Sequence, residues 1–353
     1  MIYFLVLTLV YFLANIDVAH HNDKKIQLIF LLFVGLMLSV FIGFRWEVGS
    51  DWDVYLNHYN VVQGEQFELG YVFLEKIFYT NNLEYSYFLF FVTLVSIFFI
   101  SYFLFSRVDY AIVAIMFFVA NYMLSFMGGN RQIIAIGIVF LSNAFIIDRN
   151  KFGFISCILL ASLFHISAII YIVAYFFTID YVSAKRRYFI LVGCVVFGSY
   201  LAPALIAIAI KIFSLIGVTY VVDKLTTYQS VIFDNFSITS MLKKIIILLF
   251  FDLYYQQVLS KVKKELCNVF YNLYFFSVIF DAVVGPINAA FMRASVYFRI
   301  SEIVIVSLIV ATSKSKAHRI FLIFIIFVLC LRQLNSALAF YPDLYADYKN
   351  VVF

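Results

Sequence analysis

Charge is what this chain has least of. Only 13% of its 353 residues are Asp, Glu, Lys or Arg, where a soluble domain of that size carries about a quarter. The scarcity excludes an ordinary solvated domain, because 65% of the residues are hydrophobic and need a non-aqueous neighbour. Cysteine is scarce too. Cys157, Cys194, Cys267 and Cys330 lie in or beside apolar runs without CxxC spacing, which argues against a disulfide framework or a thiolate metal cage. No HExxH motif occurs, and the Asp-Trp-Asp of GSDWD is a weak D-x-D. No cofactor is expected, and a divalent metal is not implied. Proline, glycine and serine never collect into a linker and nothing repeats, so residues 1–353 are expected to form a single integral membrane domain. Met1 leads into apolar sequence with no basic n-region or small-residue cleavage site, so no cleavable signal is expected.

What is present is hydrocarbon. Runs of about 20 apolar residues, enough to cross about 30 Å of bilayer core as a helix, follow one another almost end to end. Lipid offers backbone N–H and C=O groups no partners, so such runs must be helical. The fold class is therefore an all-α polytopic membrane protein. A net charge of +5 does not point to nucleic acid, because 14 of the 25 Lys and Arg residues fall in six short clusters between apolar runs. Those clusters are Lys24-Lys25, Arg107, Arg149 with Lys151, Lys185-Arg186-Arg187, Lys261 with Lys263-Lys264, and Lys314-Lys316-Arg319. The positive-inside rule puts all six on the cytoplasmic side, and an even number of crossings must then separate each from the next.

That parity sets the count. The interval from Phe152 to Val182 is one apolar run with basic flanks, and a single helix would invert every later loop. A tight hairpin breaking near Phe164-His165-Ile166-Ser167 keeps the parity and puts His165 at its outer tip. About 12 transmembrane segments result (range 10–12), with both termini outside. Two loops have length, 45–85 and 211–240, and both fall outside. The first is expected to hold two short amphipathic helices, Asp53–Val62 and Glu68–Tyr79. The second carries Tyr220, Lys224, Tyr228, Asp234 and Asn235.

This topology puts the unusual polar residues near one face. An ionisable group at membrane depth costs a few kcal/mol unless it is paired or faces water. The set comprises Arg45, Asp51, Asp53, Asn130, Arg131, Gln132, His165, Arg293, Arg299 and Arg332. Guanidinium forks match phosphate oxygens in pairs and keep their charge, and Gly128-Gly129 would let backbone N–H groups approach an anion at a helix start. The plainer alternative pairs these arginines with Asp281, Glu302 or lipid head groups. Asp51 or Asp53 could act as a general base toward a sugar hydroxyl, or simply begin a helix. Trp46, Trp52, Tyr55 and Tyr59 suit stacking on sugar rings, although interfacial belts collect the same residues. His165 reads either as a packing histidine or, at a hairpin break, as a catalytic or phosphate-binding group.

The order of these motifs resembles a known family. Arg45, Gly49, Asp51 and Tyr55 give R-x3-G-x-D-x3-Y, followed by E-x-GY at Glu68, Gly70 and Tyr71. NRQ follows at Asn130 to Gln132, then LLASLFHISA from Leu159 to Ala168, then R-x3-Y at Arg293 and Tyr297. FYPDLY, Phe340 to Tyr345, ends the series, with Asp343 where a tighter aromatic turn is expected. The chain is similar over nearly its whole length to the EpsG family of Wzy-type polysaccharide polymerases. That resemblance implies a GT-C-like glycosyltransferase of the bacterial inner membrane with its active site facing outward. It also implies undecaprenyl-diphosphate-linked oligosaccharide repeat units as substrate and O-antigen or other surface polysaccharide as product. Membrane lipid and a chain-length regulator are the further partners. Asp51 matches the family's acidic position and Asp53 is an extra carboxylate; on this reading one of them serves the acceptor and His165 assists. Arg131, Arg293 and Arg299 hold the diphosphate, with Arg45, Asn130, Gln132, Arg332, Trp52 and Tyr55 completing the binding set. A flippase for the same lipid-linked sugars would use the same arginines but has no need of an acidic outer loop. An acyltransferase with His165 as base would be expected to carry an arginine-to-histidine helix pattern near the N-terminus, which is missing.

Overall fold

The computed structural model describes all residues except 21–22, 62–66, 178, 216, 218, 231–237, 286–291 and 353. In chain order the helices begin with α1 (Ile2–Ala19), α2 (Lys24–Gly43), α3 (Trp52–Val61), α4 (Leu69–Thr80), α5 (Tyr85–Arg107) and α6 (Ala111–Gly128). Next come α7 (Asn130–Ile147), α8 (Lys151–Ser162), a 3-10 helix (Ile166–Val173), α9 (Ala174–Phe177) and α10 (Ala184–Leu215). The series ends with α11 (Thr219–Ser230), α12 (Ile238–Leu259), α13 (Lys264–Val284), α14 (Met292–Arg299), α15 (Glu302–Thr312), α16 (Lys316–Phe340) and α17 (Pro342–Tyr345). Two short strands, β1 (Arg45–Trp46) and β2 (Lys349–Asn350), pair antiparallel with Arg45 opposite Asn350.

The protein is a multi-pass helical membrane protein. The chain divides into two compact units. The first is Met1–Tyr175 with Ser260–Val262 and Ile303–Phe353, and the second is Phe176–Leu259 with Lys263–Glu302.

In the first unit α6 and α7 carry apolar residues on nearly every face and are buried on nearly every face, as an all-round apolar helix must be. Around them α2 packs on α5, α5 on α7, α7 on α8, and α1 on α6 and α16. The unit has two chemically distinct ends. Arg107 pairs with Asp148 at 2.5 Å, Lys24 lies over Phe105, Arg319 lies over Tyr110, and the Tyr175 hydroxyl donates to the Arg149 carbonyl. The basic clusters of this unit thus gather at one end. At the other end are β1, β2, α3, α4 and the start of α7. The C-terminal segment is part of that framework: Gly49 N–H donates to the Leu344 carbonyl and the Tyr345 hydroxyl to the Leu124 carbonyl.

Eight helices are long and apolar enough to cross a membrane among the described residues, or nine if the bent α10 is one span. That is fewer than the twelve segments expected, for three physical reasons. The expected Phe152–Val182 hairpin is there, breaking between Ser162 and Ile166, but its legs α8 and the 3-10 helix are too short to span as regular helices. The 3-10 helix gains length by its rise of about 2.0 Å per residue against 1.5 Å for an α-helix, and Tyr171 anchors it by donating to Asn143 Oδ1 at 2.8 Å. Next, α12 carries Lys243, Lys244 and Asp252 within its 22 residues. Last, α10 bends by 81° between Gly198 and Tyr200. Pro203 explains the bend, because it cannot donate to the carbonyl four residues back, that of Ser199, and its ring collides there.

In the second unit Arg187, expected only as a topology signal, is fully buried. It donates to Asp252 and to the Val182 carbonyl and lies 4.0 Å over the Tyr271 ring, while Tyr188 and Tyr271 also donate to Asp252. A buried guanidinium needs such a partner, since the ion alone would be several kcal/mol unfavourable.

Of the expected outer loops, 45–85 contains its two short helices, α3 and α4, within two residues of the positions read from sequence. In 211–240 the described part holds α11. Asp234 and Asn235, together with the side chains of Tyr220, Lys224 and Tyr228, lie outside the described residues.

Candidate active site

The turn between β1 and α3 folds tightly because Gly49 has φ +115°, a region closed to side chains, and a Cβ there would meet the Met127 carbonyl oxygen at 2.1 Å. This seats residues 45–52 on the end of α6. Gly128, expected to open an anion site, instead lies under Ser50, where a Cβ would approach its hydroxyl to 2.8 Å.

Arg45 and Asn130, both read from sequence as binding residues, are directed inward. Arg45 is 1% exposed. Its Nε donates to the Val48 carbonyl at 3.0 Å, Nη1 to the Ile42 carbonyl at 2.7 Å and Nη2 to Asn130 Oδ1 at 2.6 Å. Asn130 Nδ2 in turn donates to the Tyr85 hydroxyl at 2.8 Å. Burial lowers the Arg45 pKa from its ordinary value. These two residues tie the turn to α7 rather than face a ligand.

One residue further on, Arg131 is only partly buried. Its Nη1 donates to Glu68 Oε2 at 2.6 Å and its Nε to the Tyr55 hydroxyl at 3.4 Å, and its guanidinium lies 4.1 Å over the Phe67 ring. Nη2 carries no hydrogen bond among the described residues, so one edge of the fork remains available. Glu68, at the N-cap position of α4, also accepts the Ile166 N–H through Oε1 at 3.1 Å. That bond forms because Gly70 lets α4 dock on the hairpin tip: its N–H donates to the Leu163 carbonyl at 2.8 Å, and a Cβ at Gly70 would meet that same oxygen at 2.8 Å.

The docking brings His165 to Glu68. Its Nδ1 is 2.6 Å from the Ser167 hydroxyl, and its ring is half-buried. Burial pushes the Glu68 carboxyl up, but Arg131, His165 and the Ile166 N–H outweigh it and hold the pKa below the ordinary value. Burial raises the Tyr55 pKa, with Arg131 pulling it down and Asp51 pushing it up. Asp51 is therefore an electrostatic neighbour of the same hydroxyl.

The other sequence-predicted residues lie as follows. Asp51 is half-buried just before α3, and its carbonyl accepts the Tyr55 N–H; Asp53 is exposed on α3. Trp52 is buried, edge-on to Trp46 and Tyr85. Gln132 is half-buried in the first turn of α7, and Arg332 is exposed on α16. Arg293 and Arg299 belong to the second unit. Arg293 is exposed, and Arg299 is half-buried as an electrostatic neighbour of Lys244 and Tyr274, which Asp281 and Glu302 also influence. Among the described residues no three of His, Cys, Asp and Glu gather as a metal-ligand set.

Two groups escaped the site list read from sequence. Glu68 was visible there only as the first residue of E-x-GY. Behind it, His58 of α3 and Glu75 of α4 form a buried pair, Nδ1 to Oε2 at 2.7 Å, that clamps the two loop helices. Burial pushes Glu75 up to about 8. Their only sequence signal is that both fall on the inward face once the two helices are drawn.

Comparison with known proteins agrees with the motif order. Neither a curated protein nor a solved structure matches the chain. The model of the EpsG family matches residues 28–350, nearly the whole length, and the chain therefore belongs to the EpsG family, a family of Wzy-like polysaccharide polymerases.

Proposed function

We propose that the protein joins oligosaccharide repeat units carried on undecaprenyl diphosphate into a surface polysaccharide, at the non-cytoplasmic face of the bacterial inner membrane. The observation that carries this reading is the meeting of Arg131, Glu68 and His165 at the end of the first unit opposite its basic clusters. The orientation follows from those clusters through the positive-inside rule. A GT-C-like arrangement and a chain-length regulator as partner belong to the same reading.

In this reading an acceptor sugar hydroxyl attacks the anomeric carbon of the donor. The bond from that carbon to the diphosphate oxygen breaks, and the electron pair leaves with the lipid diphosphate. Arg131 receives a phosphate oxygen on Nη2 and offsets the developing charge. The hydroxyl proton goes to a carboxylate. Glu68 is the best-placed acceptor, because a phosphate that shares Arg131 weakens the guanidinium's hold on it and raises its basicity. Asp51 is the second candidate, and Asp53, being exposed, the third. His165, fixed through Ser167, hydrogen-bonds the diphosphate or the acceptor.

The test is polymerisation of a purified lipid-linked repeat by the purified protein, with Arg131→Ala alongside. Products of two or more repeats from wild type and none from the variant are expected. In cells, Arg131→Ala should leave single-repeat surface saccharide. Loss of all outward-delivered repeats would instead favour a flippase.

A further inference from the structure

The same end of the first unit holds a cleft of about 520 Å³ between α3 and the turn joining α4 to α5. Its size is that of a site for a few sugar rings. Trp46, Tyr59 and Tyr79 supply aromatic walls, and Asn60, Asn82 and Glu84 supply polar groups. Trp46 is 37% exposed and Tyr79 44%, so their rings are open to a ligand. Tyr59 is rigid, its hydroxyl bonded to the Leu83 carbonyl at 2.7 Å and its ring packed 5.3 Å from Tyr85. Asn60, Asn82 and Glu84 are exposed and form no side-chain hydrogen bond among the described residues.

Open aromatic faces beside open amides and a carboxylate are complementary to carbohydrate. The C–H faces of a pyranose stack on aromatic rings, and its hydroxyls both donate and accept. Among the described residues no Lys or Arg lines the cleft, which makes it a poor site for the diphosphate. Three polar groups make it a poor site for an acyl chain. It is also joined to the reactive cluster. Tyr85 forms part of its wall, and the Tyr85 hydroxyl holds Asn130, the residue before Arg131.

We infer that this cleft is a saccharide subsite, holding sugars of the growing chain or the acceptor at a distance from the bond being made. The inference rests on the polymerase reading for its ligand. It does not depend on which carboxylate takes the proton.

The decisive measurement uses full-length protein in detergent and a soluble two-repeat oligosaccharide, released by mild acid from the host's lipid-linked saccharide. The chain has two tryptophans, so Trp52→Phe leaves Trp46 in the cleft as the fluorescent reporter. A saturable fluorescence change is expected. Adding Tyr79→Ala or Asn60→Ala should weaken it at least tenfold, while Tyr79→Phe and Arg131→Ala should keep it. Asn60 is exposed and its side chain makes no hydrogen bond among the described residues, so its variant preserves the fold should Tyr79→Ala not. In polymerisation, Tyr79→Ala should form the first bond and give shorter chains.

No saturable binding at millimolar oligosaccharide would overturn the subsite, as would equal affinity in Asn60→Ala and Tyr79→Ala. So would a response to added lipid vesicles alone, which would make the rings an interfacial belt. If wild type binds oligosaccharide but forms no bond between lipid-linked repeats, the polymerase reading fails and the subsite stands. Polymerisation without oligosaccharide binding gives the reverse.

Discussion

Replacing Glu68 by Gln removes one charge and almost nothing else. The Gln oxygen can still accept the Ile166 N–H, so α4 stays docked on the hairpin tip, but Arg131 loses its counter-ion at 2.6 Å. The side chains are 11% and 14% exposed, between the surface case, worth about 0–1 kcal/mol, and a fully buried pair, where removing one partner costs about 3–5 kcal/mol. A loss of about 2 kcal/mol is expected, a fall of about 3 °C in melting temperature for a protein this large. The sign with pH is fixed by the lowered pKa. The carboxylate's contribution is present above its unfolded value near 4.5 and is lost as pH falls through the still lower folded value, so wild type and variant should converge on acidification.

Function separates base from counter-ion. With its competitor gone, Arg131 should bind the lipid diphosphate more tightly by about 1 kcal/mol, about fivefold, while loss of a general base should cut turnover by about 10²–10⁴. Purified Glu68→Gln, assayed for donor binding and chain extension over a range of pH, gives both numbers. Wild-type turnover with weaker donor binding would refute the assignment, since it would leave Glu68 with only a structural part.

Three other perturbations probe the frame. Glu75→Gln tests the buried clamp with His58. A raised carboxyl contributes stability below its unfolded pKa of 4.5 and loses it as pH rises through about 8, so the variant should gain on wild type between pH 5 and 8. The gain is at most on the order of 5 kcal/mol, at about 1.4 per unit, and less to the extent that His58 takes the proton; a melting-temperature gap independent of pH would refute it. Gly49→Ala forces a Cβ into the Met127 carbonyl at positive φ and should cost at least about 3 kcal/mol, read as loss of monodisperse protein in detergent. Pro203→Ala restores the donor to the Ser199 carbonyl. Spin labels at Phe189 and Ile212 should then move apart from about 26 Å toward about 34 Å, for a rise of 1.5 Å per residue and the observed 81° bend.

What could be read from the chain, and what could not, divides by the range of the interaction that fixes it. The helical class, the break at His165 and the two loop helices follow from local apolar runs and charge parity, whereas the bend in α10 and the interruption between α14 and α15 do not. Arg131 was legible because an arginine at the start of an apolar helix has few places to put its charge. Arg45 carried the same local signal, yet it turns inward to Ile42, Val48 and Asn130. Only the close approach of Gly49 to Met127 decides that, and close approach is a property of the folded chain. Glu68 was harder still. At a helix start an acidic residue reads as a favourable neighbour of the helix dipole, and nothing nearby says that its partner lies 63 residues away. The useful mark was the glycine two positions on. Gly70 is small because the Leu163 carbonyl must reach its N–H, and that one bond carries Glu68 to Ile166, His165 and Arg131 together. Arg187 makes the same case in the second unit: a basic cluster that served to orient the chain also supplies the buried partner of Asp252. In a protein so poor in charge, a buried ionised group must find either a counter-ion, as Arg187 does, or a full set of hydrogen-bond acceptors, as Arg45 does, and folding rather than sequence position decides which.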